Sequence, residues 1–322
     1  PNKDENEYEE SLSQIILDLN KKSQMLSELV SAVTSSFKDV LVAESVEVDK
    51  ELQSKINDIS LESEKLKKDN ELLMNNMSKL ISSNSSLANE VLKVKNKSLS
   101  LAFQGKLVQE EQPIESAIEL LELIAELKGK SLANVLNKEE LFDIPENWEW
   151  AVMEDIIEMS KNLNIQAKLP ADTLINYLDI DAIDNKNQRI GETKLEMVKN
   201  LSSRARRVLE KDMIVYSLVR PYLNNLAIVE EEKENYIGST GLVAFKTVMV
   251  NNKYVFYYLL SPYVRKKFLD FISGFNSPSI SIQQFLSLEI PIPPKAVQDR
   301  IVAKLDEITE SCNGMMFMMQ EK

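Results

Sequence analysis

No glycine occurs before Gly105, and after Pro1 no proline occurs before Pro113. A hundred residues without an internal backbone breaker, rich in Leu, Lys, Glu, Ser and Asn, predict helix. Within that stretch an apolar line recurs at every seventh residue: Leu52, Ile59, Leu66, Leu73, Leu80, Leu87, Val94 and Leu101. Three residues ahead of its members runs a second line: Ile56, Ser63, Asn70, Met77, Asn84, Val91 and Ser98. A strict period of seven drifts around an ideal 3.6-residue helix, so the pattern reads as a coiled-coil seam rather than a globular helix face. It has a strong d line and a polar-laced a line, and buried Asn or Ser at a positions weakens a seam while fixing register. A helix over 48–104 would be ~80 Å long, a strut rather than a core element. The same seven-step line in Leu12, Leu19, Leu26, Val33 and Val40 predicts an earlier helix. The join near 41–47 lacks Gly and Pro, which leaves a hairpin and a continuous rod both open.

Beyond the turn marked by Gly105 and Pro113, the spacing predicts a short amphipathic helix over 114–128, ended by Gly129. From "LFDIPENWEW" onward the texture changes to short β-branched and aromatic runs separated by Asp, Asn, Gly and Pro. "MIVYSLV", "NNLAIV" and "TGLVAFKTV" read as strands. "KYVFYYLLSPYVRKKFLDFIS" reads as helix interrupted near Pro262, and the run after "LEIPIPP" as helix with Ile301, Leu305 and Ile308 on one face. The fold class is therefore α+β: long coiled-coil helices with one mixed α/β domain. We divide the chain into a helical spacer (1–104), a connector (105–143), an α/β domain (144–296) and a C-terminal helix (297–322).

Composition excludes much chemistry. The chain has no histidine and one cysteine, Cys312. Ser-His-Asp triads, Cys-His dyads, multi-cysteine zinc sites and internal disulfides are thereby ruled out. There is no GxxxxGK[ST] loop, no Gly-rich nucleotide loop after a strand and no "NPPY" element. Asp184, Glu192 and Lys194 can be forced into a nuclease-like pattern, but such spacing is common in acidic chains. No apolar run reaches membrane-spanning length and the first residues are too polar for a secretory signal, so we expect a cytoplasmic protein that engages no membrane. The net charge of −13 argues against nucleic acid for the whole chain. Residues 144–295, however, carry 18 basic and 19 acidic side chains, so the acidity lies mainly elsewhere.

Six segments then carry a family resemblance: "LAFQGKLV", "DIPENWEW", "YLDIDAID", "RARRVLEKDMIVYSLVRPYLNNLAIV", "YIGSTGLVAF" and "FNSPSISIQQFLSLEIPIPPKAVQDRIVAKLDEI". In this order, over about 100–310, they resemble the specificity subunits of Type I restriction–modification enzymes. The resemblance implies a non-catalytic DNA-recognition subunit whose target-recognition domain reads half of a split site in double-stranded DNA. Its helices would act as spacer and docking surface for methyltransferase subunits, alongside restriction/translocase subunits. The chain itself would bind no cofactor; partner chains would use S-adenosylmethionine, ATP and Mg²⁺. The family plan has two recognition domains and this sequence has one. A half-length subunit that pairs with another copy through its helices, or a chain whose other recognition domain lies elsewhere, both fit. "PPKAVQDR" also lacks the acidic residue that usually precedes the position of Gln298.

Candidate contacts follow from residue type. Arg204, Arg206 and Arg207, with Lys211 nearby, suit a phosphate clamp, as do Arg265, Lys266 and Lys267. In "SLVRPYLNN", Pro221 fixes its own φ and should set Arg220 in an extended conformation. Arg220, Tyr222, Asn224 and Asn225 then offer a fork, a ring and amides to base edges or phosphates. Alternatively, Arg220 salt-bridges a carboxylate and Pro221–Tyr222 is a packed corner. The polar turn holding Ser277 and Ser279 suits phosphate hydrogen bonds or a plain turn. The loop 185–194 holds base-edge readers by type: Lys186, Asn187, Gln188 and Arg189, with Asn185. Two rivals stand beside this reading: a coiled-coil scaffold whose α/β domain binds protein, and the recognition part of a fused restriction enzyme.

Overall fold

A computed structural model describes Lys21, Gln24–Met25, Glu28 and residues 50–109, 116–136, 141–272 and 278–320. The earlier seven-step line (Leu12 to Val40), the side chains of Leu52 and Ile56, Pro113 and Ser277 lie outside the described residues. The chain divides into two compact units, 1–89 and 90–322. Helix α1, Lys50–Phe103, contributes to both. In the first unit its described d-line residues Ile59, Leu66, Leu73, Leu80 and Leu87 are exposed. In the second unit Val91 is buried, and Leu99, Ala102 and Phe103 join the main core, so the last turns of the expected spacer belong to the globular unit.

α1 ends in a Schellman motif, with Lys106 N–H donating to Leu101 O and Gly105 N–H to Ala102 O. Gly105 sits at φ +69°, and a Cβ there would stand 2.3 Å from Pro145 Cγ, so both backbone and space require glycine. Helix α2, Ala117–Leu127, starts at an Ser116 N-cap and buries Ala117, Leu121, Ile124 and Ala125. Lys128 then donates from Nζ to the carbonyls of Glu154 and Ile157, while Lys130 pairs with the buried Asp155 at 2.6 Å.

The α/β domain contains two four-stranded sheets. With β1 Glu149–Val152, β2 Ile157–Met159, β3 Leu174–Leu178, β4 Ile183–Asp184, β5 Arg189–Ile190, β6 Lys194–Met197, β7 Ala205–Val208, β8 Ile214–Ser217, β9 Leu226–Ile228, β10 Tyr236–Ser239, β11 Leu242–Thr247 and β12 Glu289–Ile292, the orders are β6-β3-β10-β7 and β2-β11-β8-β9. Among the described strand pairs only β3–β10 is parallel. The short turn at Thr240–Gly241 carries the chain from one sheet into the other. Val215, Ala227, Leu242 and Ala244 pack with Leu178, Leu209 and Tyr236 to form a second core.

The "IPENWEW" and "LEIPIPP" segments close the domain on itself as an antiparallel pair, Trp150 opposite Pro291 and Val152 opposite Glu289. The outer carbonyls of β12 are capped by helix α3, Asn252–Leu259: Tyr254 Oη donates to Pro291 O at 2.7 Å and Tyr258 Oη to Glu289 O at 2.6 Å. Pro291 therefore loses nothing by lacking an N–H on that side. Phe103 of α1 stacks edge-on against both tyrosines, which ties the helix end to the clasp. Helix α4, Pro262–Phe271, follows the Ser261 N-cap, and helix α5, Lys295–Gln320, leaves directly after β12.

Gln298 on α5 is fully buried, accepting from Asn251 N–H and donating to Pro293 O, both at 2.8 Å. Gln298→Leu would strand one buried donor and one buried acceptor. We expect a stability loss of about 2–3 kcal/mol, read as a lower denaturant midpoint with an unchanged slope.

Candidate nucleic-acid interface

Four backbone hydrogen bonds line up loops that are far apart in sequence. Thr240 N–H donates to Arg204 O (2.8 Å), and Leu218 N–H to Gly241 O (2.9 Å). Ile280 N–H donates to Leu218 O (3.0 Å), and Arg220 N–H to Pro278 O (2.8 Å). Strands in such a ladder stand ~4.8 Å apart, so the Arg204 turn, the 240–241 turn, the 218–220 segment and the 278–280 segment form one continuous edge. Gly241 lies close against the Ile180 side chain, whose Cδ1 would stand 2.8 Å from a Cβ at this position. The tip of the β4–β5 hairpin docks on the same edge, where Asn185 Nδ2 donates to Leu223 O at 3.1 Å. Helix α4 packs against the 3-10 turn Pro221–Leu223.

The corner "SLVRPYLNN" is pinned from below. Tyr216, 1% exposed, donates from Oη to Pro221 O at 2.9 Å, and burial pushes its phenol far above the ordinary value. Ser217 Oγ both donates to Val219 O and accepts from Val219 N–H. Arg220 is not extended, as its place before proline predicts; it is left-handed at φ +48°, ψ +56°. The reason is the double tether of its N–H to Pro278 O and its carbonyl to Leu223 N–H. A non-glycine residue there costs on the order of 1–3 kcal/mol, the kind of local strain that clusters at working sites. Arg220 is exposed and makes no side-chain hydrogen bond or ion pair among the described residues. Tyr222, Asn224 (left-handed, φ +54°) and Asn225 are half-buried beside it.

The predicted cations separate into groups. Arg204 and Arg206 are exposed, Arg206 Nε donating to Ser203 O. Arg207 is 5% exposed because β7 alternates, with Ala205 and Arg207 inward and Arg206 outward; this corrects its placement in the phosphate clamp. Its Nε is buried without a hydrogen-bond partner, and desolvation lowers its pKa. Lys211 is exposed in the turn before β8, past the end of β7 opposite to Arg204. Arg265 and Lys266 are exposed on α4. Lys267 is not: its Nζ holds the buried Glu289 carboxylate at 3.0 Å and lies over the Phe271 ring. It serves the fold, correcting its place in the second basic cluster. Ser279 is half-buried, bridging Val219 through the backbone.

In the hairpin tip, Asp184 accepts from Lys186 N–H and from Asn187 N–H and Nδ2, with Arg189 Nε 3.5 Å away. The Asn187 amide foremost, with the two backbone N–H groups and Arg189, holds this carboxyl below its ordinary range. Asn187, Lys186 and Arg189 are all exposed, and the Asn187 amide is engaged within the tip through Asp184. Gln188 sits at φ +51° and donates to Asn185 O. Lys194 pairs with Asp181 and Asp179, which dissolves the nuclease-like grouping with Asp184 and Glu192. Among the described residues no acidic, Cys or His cluster could hold a metal, and no helix is long and apolar enough to cross a membrane. Sequence reasoning missed the part played by Thr240, since backbone pairing across 36 residues leaves no local pattern, and that of Tyr216, whose hydroxyl reaches Pro221 O only once the corner has formed.

Residues 145–316 match a family profile described as "Type I restriction modification DNA specificity domain". The chain is similar to the Type I restriction enzyme EcoAI specificity subunit of Escherichia coli, 26% identical over 246 residues, covering 69% of this chain and 40% of that one. It is also similar to the MjaVIII specificity subunit of Methanocaldococcus jannaschii, 24% identical, covering 56% and 44%. It thus spans less than half the length of these relatives. The HsdS subunit from Thermoanaerobacter tengcongensis shares its fold, with TM-score 0.52 and 24% identity over 57% of this chain and 48% of that one.

The two basic groups differ in a measurable way. Lys267→Met strands the Glu289 carboxylate and should lower stability by about 2–4 kcal/mol. The double variant Lys267→Met/Glu289→Leu should recover most of it, while Arg265→Ala and Lys266→Ala should change the denaturation midpoint little.

Proposed function

The chain belongs to the Type I restriction–modification DNA specificity family, and from that premise we propose that its α/β domain reads one half of a split site in double-stranded DNA. The observation that supports this reading is the edge built by the four backbone hydrogen bonds. It presents Arg204, Arg220, Tyr222, Asn224 and the hairpin tip together.

In this reading the roles divide by chemistry. Arg204 and Arg206, with Arg265 and Lys266, neutralise phosphates and set the position of the domain on the duplex. Arg220, held by its backbone at the corner, forks onto a base edge, and Asn224, Lys186, Gln188 and Arg189 complete the readout. The chain performs no chemistry. It holds methyltransferase subunits on its helices, and those chains, with the restriction/translocase subunits, use S-adenosylmethionine, ATP and Mg²⁺. A second recognition domain, from another copy or another chain, reads the other half-site. The scaffold reading draws on the net charge of −13, but residues 144–295 contribute only −1 of it.

Duplex selection from a random library, followed by binding across a salt series, tests the proposal. The chain, alone and with its methyltransferase partner, should enrich a defined half-site with a steep salt slope. Arg204→Ala and Arg206→Ala should each reduce that slope by about one. Arg220→Gly should leave stability equal or higher, because glycine takes the left-handed conformation freely, and yet cost about 1–3 kcal/mol of discrimination at one base pair. No enrichment and no salt-dependent binding would leave the scaffold reading in its place.

A further inference from the structure

Three charged side chains are buried among the described residues: Asp155 (2% exposed), Arg207 (5%) and Glu289 (5%). Two of them have a counter-ion, Lys130 for Asp155 and Lys267 for Glu289. Arg207 has none among the described residues, and its buried Nε makes no hydrogen bond. Desolvation is the only influence on its charge, so no carboxylate acts on it from nearby. An ion withdrawn from water without compensation is strongly unfavourable, and folds seldom keep one without a use for it. The backbone register shows what stands beside it. Leu163 N–H donates to Arg206 O (2.8 Å) and Val208 N–H to Lys161 O (3.0 Å). Asn162 and Arg207 are thereby directly opposed, as a pair of the close, non-hydrogen-bonded kind. Asn162 is exposed. Ser160, two residues back along the same extended segment, shares its face, at the diagonal separation of about 7–8 Å that a long side chain spans. The Ser160 Oγ is likewise buried without a partner.

We infer that Arg207, Ser160 and Asn162 hold a small free oxyanion of the phosphate or sulfate type. The donors suit a tetrahedral ion: the guanidinium fork takes two oxygens, and the hydroxyl and the amide take the others. A carboxylate from a partner protein would be satisfied by the fork alone and would leave the Ser160 hydroxyl stranded. Burial decides against a duplex phosphate. A phosphodiester brings its sugars with it, and a side chain only 5% exposed cannot meet it as the exposed Arg204 and Arg206 can. A free ion carries no such bulk and enters beside Asn162. The position gives it a structural use. Ser160 N–H donates to Ala244 O on β11 (2.8 Å), and Lys161 and Leu163 bond to β7, so this one segment joins the two four-stranded sheets. An oxyanion between Ser160 and Arg207 fastens that junction by a link that neither sheet supplies. The site is apart from the DNA-reading edge and does not rest on that proposal.

The test titrates the full chain with inorganic phosphate, and separately with sulfate, by calorimetry and by thermal unfolding, with chloride at matched ionic strength as control. Both oxyanions should bind and should raise the unfolding midpoint beyond the chloride series. Arg207→Met should weaken that binding at least about tenfold, since it removes a charge-assisted fork. In chloride alone the same variant should unfold at an equal or higher temperature, because an uncompensated buried charge has gone. A merely structural arginine would give the opposite sign. Asn162→Ala, on the surface, should fold as the unaltered chain does and bind phosphate several-fold more weakly. An equal phosphate response in the unaltered chain and in both variants would overturn the site, since salt exclusion alone would then explain it. So would an Arg207→Met chain that is destabilised in chloride while the unaltered chain shows no response to either oxyanion. A duplex arm separates the sources. If Arg207→Met lowers the salt slope of duplex binding by about one while free phosphate does not bind, the anion is a DNA phosphate and the free-ion assignment falls. Absence of any duplex binding would count against the DNA-reading proposal and leave the phosphate titration unaffected.

Discussion

Backbone pairing between segments that lie far apart in sequence is the interaction on which the candidate interface depends. Arg204, Thr240–Gly241, Leu218–Arg220 and Pro278–Ile280 are joined through main-chain N–H and C=O groups alone. Such bonds are indifferent to side-chain identity, so the side chains along the edge are free to be chosen for what they touch rather than for what holds them. The cost of the arrangement shows at Arg220, whose left-handed backbone is fixed from both sides by these same bonds. A buried tyrosine, Tyr216, supplies the support beneath. Packing, strain and a set of exposed polar groups are thereby concentrated in one place.

The domain that carries this edge closes at the β1–β12 clasp. Its two strands come from the first and last segments of the domain, and the tyrosines of α3 bond to the outer carbonyls that a further strand would otherwise take. Phe103 at the end of α1 packs on the tyrosines of α3 that cap this clasp, and Val297 and Ile301 at the start of α5 share the same core. Gln298 locks that helix start through two backbone partners.

Much of this was legible in the sequence, and the limits have physical causes. The seven-residue line marked α1 because an uninterrupted helix leaves a local period, and "MIVYSLV" and "TGLVAFKTV" marked β8 and β11 because strand burial does the same. Residue type named the exposed Arg204, Arg206 and Arg220, but strand alternation alone turned Arg207 inward. Lys267 looked like its basic neighbours until the tertiary fold set Glu289 beside it. The conformation of Arg220 was hidden most deeply, since a local rule for residues before proline was overridden by two hydrogen bonds, one of them to Pro278, far along the chain. Local period survives in a sequence; long-range main-chain pairing does not.

The central claim is that this edge, rather than another surface of the domain, meets DNA. Ultraviolet crosslinking of the chain to duplex DNA, with the crosslinked peptides identified by mass spectrometry, tests it directly. The account predicts crosslinks in 185–189, 203–206 and 220–225, lost together at high salt. Crosslinks confined to the exposed face of β3 and β6, around Leu174, Leu195 and Met197, or to α5 would contradict it.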